Sequence, residues 1–284
     1  MVPDQVGWWT PALRARVLTA GLLAPLVMLG VLLLPTLWLA LLMALFVAMA
    51  AWEWSALAGF AGRRARASYV ALSLGCLLLL WWFAATELDR FILAIAALWW
   101  LVLLVRLALI ERIDQAPPLE WPLLPLGLLV LVAPWLALVQ LHRLPGEGPL
   151  VALCLLMMIW IADIAAYFGG RRFGRTKLSV LLSPGKTREG VYAGVVAAVL
   201  WGAVVSVLLG LTTIETLLLL LMCSLTAVMS VVGDLFESLL KRRRGIKDAG
   251  SLLPGHGGML DRIDSLTAAA PIFALGYIWL IAGQ

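Results

Sequence analysis

Long apolar runs separated by short polar stretches dominate this chain. A helix that crosses the hydrocarbon core of a bilayer needs about 20 apolar residues. The pattern predicts nine such helices, at 13–33, 36–58, 68–85, 91–110, 122–141, 149–168, 190–210, 214–235 and 264–282. Pro35 separates the first two, because proline removes a backbone donor and breaks or kinks a helix. The expected fold is all-α: a polytopic membrane protein with about nine transmembrane helices. The longest polar connections, 169–189 and 237–263, both fall late in the chain. This divides it into about five N-terminal membrane helices over 1–150 and a C-terminal catalytic region over 151–284. No fixed-period repeat or low-complexity segment interrupts the pattern.

Composition strengthens the membrane reading. Of 284 residues, 63% are hydrophobic and 13% charged, with a mean hydropathy of +1.03; a soluble domain carries about 25% charged residues. The apolar stretch after Arg14 and Arg16 outruns the roughly 15-residue core of a signal peptide and is expected to be the first span. Cys76, Cys154 and Cys223 sit in apolar runs, spaced for neither a disulfide framework nor a zinc site. Lys and Arg concentrate on cytoplasmic loops. With the N-terminus in the cytoplasm, nineteen of the 21 basic residues fall on the inner side, leaving only Arg90 and Arg143 outside. The expected location is the cell (inner) membrane, multi-pass, with both long polar loops facing the cytoplasm.

Positive-inside orientation and contact with anionic headgroups explain the sign of those loops. They do not explain the acidic residues among the basic ones. Asp234 and Glu237 lie three residues apart on one helical face, and Asp261 and Asp264 are likewise one turn apart. Acidic groups at membrane depth are costly and usually functional, and hard oxygen ligands of this kind suit magnesium. Between them come Lys241, Arg242, Arg243, Arg244, Lys247 and Pro254-Gly255-His256-Gly257-Gly258. Glycines admit close backbone approach, and free amides form anion-binding concavities. Cations beside metal-binding carboxylates are what phosphoryl and nucleotidyl transfer require. The other loop carries Asp163, Arg171, Arg172, Arg175, Lys177 and Ser183-Pro184-Gly185-Lys186-Thr187. Gly169 to Thr176 nearly spells a P-loop, but the apolar helix expected before it replaces the strand that motif needs. Blander roles suit several residues: Arg243 and Arg244 as headgroup contacts, Glu53 between Trp52 and Trp54 as an interfacial anchor or a site residue, Trp99 and Trp100 as interface-belt residues, and His142 as a solvated loop residue.

The stretch from Ser238 to Asp264 resembles the signature of the phosphatidate cytidylyltransferase (CDP-diacylglycerol synthase) family. Ser238, Lys241, Arg242, Lys247, Asp248, Pro254, His256, Gly257, Gly258, Asp261, Arg262 and Asp264 match its S-x-x-K-R, K-D and P-x-H-G-G-x-x-D-R-x-D elements without insertion. Asp163, Ala166, Tyr167, Lys177, Leu178, Ser183, Pro184, Lys186, Thr187, Glu189 and Gly190 are similar to its other conserved elements. The resemblance is specific over roughly 160–270. It implies transfer of CMP from CTP to phosphatidic acid, giving CDP-diacylglycerol and pyrophosphate. It also implies magnesium on Asp234 and Asp261, a second cation such as potassium at the same centre, and a homodimer among membrane lipids. Asp234, Asp261, Lys247 and His256 are then the expected catalytic residues. Asp163, Lys177, Ser183, Lys186, Thr187, Ser238, Lys241, Arg242, Asp248, Arg262 and Asp264 are expected to bind substrate. Nucleic acid has no expected role. Two rivals are a CDP-alcohol phosphotransferase, whose opening D-G-x-x-A-R string is absent, and a lipid transporter, in which polar groups would gather at mid-membrane.

Overall fold

The computed structural model describes residues 24–83, 87–250 and 257–280. His256, Pro254, Arg14, Arg16 and the first part of the expected 13–33 span lie outside the described residues. The helices are α1 (Ala24–Leu33), α2 (Thr36–Leu57), α3 (Arg63–Trp82), α4 (Glu87–Ala108), α5 (Leu123–His142), α6 (Gly148–Phe173), α7 (Arg188–Leu208), α8 (Thr213–Arg243) and α9 (Leu260–Leu280). Among the described residues, α2 to α8 are the seven helices long and apolar enough to cross a membrane. Helices α1 and α9 stand where the first and last spans were expected. Pro35 does separate α1 from α2, as the N-cap of the latter.

Where the spans stop differs from expectation. Helix α6 continues to Phe173 and α8 to Arg243, so both polar segments begin as helix. At 31 residues, α8 is about 46 Å long, well beyond the roughly 30 Å hydrocarbon core. Its basic last turns therefore project past the apolar slab. The other polar segment holds a two-stranded antiparallel hairpin, β1 (Lys177–Ser179) with β2 (Ser183–Thr187), which the apolar pattern did not announce. Gly169 to Phe173 finish α6, which leaves no strand–loop–helix for a P-loop.

Helix α9 is central, packing on α8, α5, α4, α6 and α2. Its Ala268, Ala269 and Ala270 are fully buried. Small residues let helix backbones approach closely where lipid gives no hydrophobic drive for helices to associate. The contact with α8 is tightest at Gly233, where a Cβ would lie 2.3 Å from the Asp264 carbonyl oxygen. Large apolar side chains such as Trp38, Leu98, Leu200 and Leu221 cover the outside. Trp100 is not a belt residue: it is buried, and its ring meets Phe236 of α8 at 5.6 Å, beside Trp99 at 5.2 Å. Nor is His142 solvated. It is buried, with its ring nitrogens 2.9 Å from Thr36 Oγ1 and 2.8 Å from the Val31 carbonyl, tying α5 to the α1–α2 corner.

Candidate active site

One end of the bundle collects the polar residues. The last turns of α8 present Asp234, Glu237, Ser238 and Lys241 along one face, as their three- and four-residue spacing dictates. Ser238 Oγ donates to Asp234 Oδ1 at 3.4 Å. Lys241 Nζ lies 3.5 Å from Glu237 Oε1 and 2.5 Å from Asp261 Oδ1 on α9. Across the groove the hairpin brings Lys186 Nζ to 2.5 Å from Asp234 Oδ2. Asp163 on α6 is within electrostatic reach of Lys186 and Asp234, and Asp264 is within reach of Asp234, Glu237 and Lys186. Three helices and a hairpin thus converge five carboxylates on two lysines.

The hairpin is held by its own chemistry. Glu189, at the start of α7, accepts the Arg175 and Thr176 amides. Thr187 caps α7 by accepting the Gly190 amide at 3.1 Å. Lys177 Nζ donates to the Pro184 carbonyl at 2.7 Å, so Lys177 and Thr187 act within the loop, while Ser183 pairs with Ser179. Asp261 is oriented from behind: its Oδ2 accepts the Gly258 amide at 2.8 Å and the Ala249 amide at 3.0 Å. Gly257 makes that turn at φ 77°, a conformation open to glycine at little cost.

Most of the expected residues gather here. Lys247 and Asp248 stand exposed on the loop after α8. Arg242 and Arg262 are exposed at the same end. Two assignments need correction. Arg243 Nη2 meets Glu120 Oε1 at 2.7 Å, and Arg244 donates to the Leu57 and Pro117 carbonyls, each at 2.6 Å. Both arginines bolt α8 to the segment between α4 and α5, a contact that no local spacing reveals. Glu53, left open between anchor and site, is buried at 2% exposure behind the glycine loop.

A divalent cation fits the chemistry of this cluster. The Glu237 carboxylate is buried beside Asp264 and Lys241, and a lysine ammonium sits on each of Asp234 and Asp261 where a cation would. Among the described residues no group of three or more His, Cys, Asp or Glu side chains is arranged to hold a metal. Magnesium does not need one, since it is usually bound through one or two carboxylates, waters and substrate phosphates.

Comparison with known proteins places the chain. The profile of the cytidylyltransferase family matches residues 14–280. The chain is similar to a phosphatidate cytidylyltransferase of Pseudomonas aeruginosa, 39% identical over 262 residues that cover 92% of this chain and 96% of the relative. It is similar to one of Haemophilus influenzae, 33% identical with 95% and 100% covered. A phosphatidate cytidylyltransferase of Thermotoga maritima is 46% identical over 129 residues, covering 44% of this chain and 48% of its own. The match runs through every helix that builds the site, and the chain belongs to the cytidylyltransferase family.

Proposed function

We propose that this chain transfers CMP from CTP to phosphatidic acid, forming CDP-diacylglycerol and pyrophosphate. The observation that carries the reading is the paired lattice Lys186–Asp234 and Lys241–Asp261 at the polar end of an otherwise apolar bundle. There a water-soluble nucleotide can meet a lipid headgroup. One oxygen of the lipid phosphate bonds to the α-phosphorus of CTP, and the bond from that phosphorus to the bridging β-oxygen breaks, releasing pyrophosphate. The attacking phosphate is already ionised, its second pKa being about 6, so no general base is required.

What the residues supply is position and charge. Lys186 and Lys241 exchange their carboxylate partners for triphosphate oxygens as CTP enters. Lys247, Arg242 and Arg262, exposed at the rim, take the remaining phosphates of nucleotide and lipid. Ser238 orients Asp234, and the Gly258 and Ala249 amides orient Asp261. Magnesium, with potassium as a companion, would be held by Asp234 and Asp261 and would neutralise the charge that develops on the leaving group. Asp163 and Asp264 keep Lys186 in place. The basic bias of this end supports a site on the cytoplasmic face of the inner membrane, and we assign the assembly as a homodimer.

The purified protein, given labelled CTP in mixed micelles, should incorporate label into lipid only when phosphatidic acid is present, and lose that activity on chelation. Incorporation without phosphatidic acid, or only with a CDP-lipid supplied, would contradict the assignment.

A further inference from the structure

We propose that Glu53, near the end of α2, is a positioning residue for this site: its carboxylate holds the start of α9 and thereby sets the direction of Asp261. The inference rests on the CMP-transfer reading above. Glu53 Oε1 accepts the Met259 amide at 3.0 Å, 206 residues along the chain, and Oε2 accepts the Leu260 amide at 2.7 Å. The first amides of a helix have no acceptor within the helix, and a carboxylate there also meets the positive end of the helix dipole. Two loop segments close on it. A Cβ on Gly250 would lie 2.3 Å from Oε1, and one on Gly258 2.5 Å from Oε2. Each therefore needs glycine to let its backbone reach the carboxylate.

The division of labour with Asp261 gives this contact its purpose. Asp261 Oδ2 is committed to the Gly258 and Ala249 amides, while Oδ1 faces Lys241 in the groove. Because Glu53 takes the next two amides, Asp261 is spared from capping its own helix with both oxygens. Without Glu53, the Met259 and Leu260 amides are buried and unmet, and Asp261 is the carboxylate placed to turn towards them, away from Lys241. Helix α2 lies in the half of the chain without the signature motifs, and this is how that half reaches the chemistry.

The test compares wild type with Glu53→Gln, Glu53→Asp, Gly258→Ala and the Glu53→Gln/Gly258→Ala double variant, all purified in detergent. Glu53→Gln keeps the shape but sets an amide donor against a backbone donor. It should lower kcat about a hundredfold, the effect of a roughly 1 Å displacement at a reacting centre, with the KM for phosphatidic acid within about twofold of wild type. The magnesium concentration for half-maximal rate should rise about tenfold, as when a partner that orients a metal ligand is lost. Glu53→Asp should recover part of kcat. Gly258→Ala should resemble Glu53→Gln, and the double variant should be no worse than the poorer single one. Independently of turnover, amide exchange in the peptide spanning 257–263 should quicken about tenfold in Glu53→Gln while α6 and α7 stay protected. Wild-type kcat in Glu53→Gln, or faster exchange throughout the protein, would overturn the proposal. If wild type itself moves no label from CTP to lipid, the functional reading fails, and the exchange contrast still decides whether Glu53 holds α9.

Discussion

Lys241 and Lys247 sit six positions apart and live under opposite conditions. The Lys241 side chain is 13% exposed and stands between Glu237 and Asp261; Lys247 is exposed. Removing one member of a buried ionic group leaves its partners charged and unmet, at a cost of about 3–5 kcal/mol. Lys241→Ala should therefore lower the melting temperature in detergent and abolish turnover together. Lys247→Ala should raise the KM for CTP at an unchanged melting temperature, and an unchanged KM and rate would rule out its phosphate contact. Asp234→Asn and Asp261→Asn keep shape while losing charge. Each should reduce turnover below about a tenth of wild type, since single electrostatic groups at such centres are worth a hundredfold or more, in protein that still inserts and folds. At this scale part of the candidate site was legible, because helical spacing put Asp234 and Glu237 on one face; Lys241, expected in the loop that follows, joins them because α8 runs on to Arg243. Glu53 was not legible, because its partners lie 206 residues away in sequence, and nothing local to Trp52-Glu53-Trp54 separates a helix cap from an interfacial anchor.

At the scale of elements, the α8–α9 contact sets the distance between the two aspartates. Gly233→Val would drive a side chain into the Asp264 carbonyl, 2.3 Å from where its Cβ would sit, and the helices would have to part. Overpacking of this kind costs about 1–3 kcal/mol, so both the melting temperature and the rate should fall; a stable, fully active Gly233→Val would show that the helices have room to spare. The spans and the break at Pro35 could be read from apolar length and proline chemistry. Which helix packs on which could not, because lipid and neighbouring helices are equally apolar and select the same residues. That is why Trp100 looked like a belt residue but lies under Phe236. The hairpin escaped for a different reason: its strands are three and five residues long, and are pinned by Glu189 and Thr187 rather than by an apolar face.

The described residues form an apolar bundle whose site end is polar, stitched together by long-range contacts: Glu53 to α9, Arg243 to Glu120, and Arg244 to the Leu57 and Pro117 carbonyls. The cytoplasmic orientation proposed for that end can be checked with Lys247→Cys in a background lacking Cys76, Cys154 and Cys223. A membrane-impermeant thiol reagent should label it in inside-out vesicles and not in intact cells, and the reverse pattern would invert the topology. In the proposed reaction the lysine–aspartate lattice directs attack at the α-phosphorus of CTP. The most direct test follows two labels through one reaction of the purified protein with phosphatidic acid and magnesium. Phosphorus label at the α position should end in the lipid, and label at the γ position in pyrophosphate; γ label in the lipid, or α label left in the aqueous phase, would contradict the account.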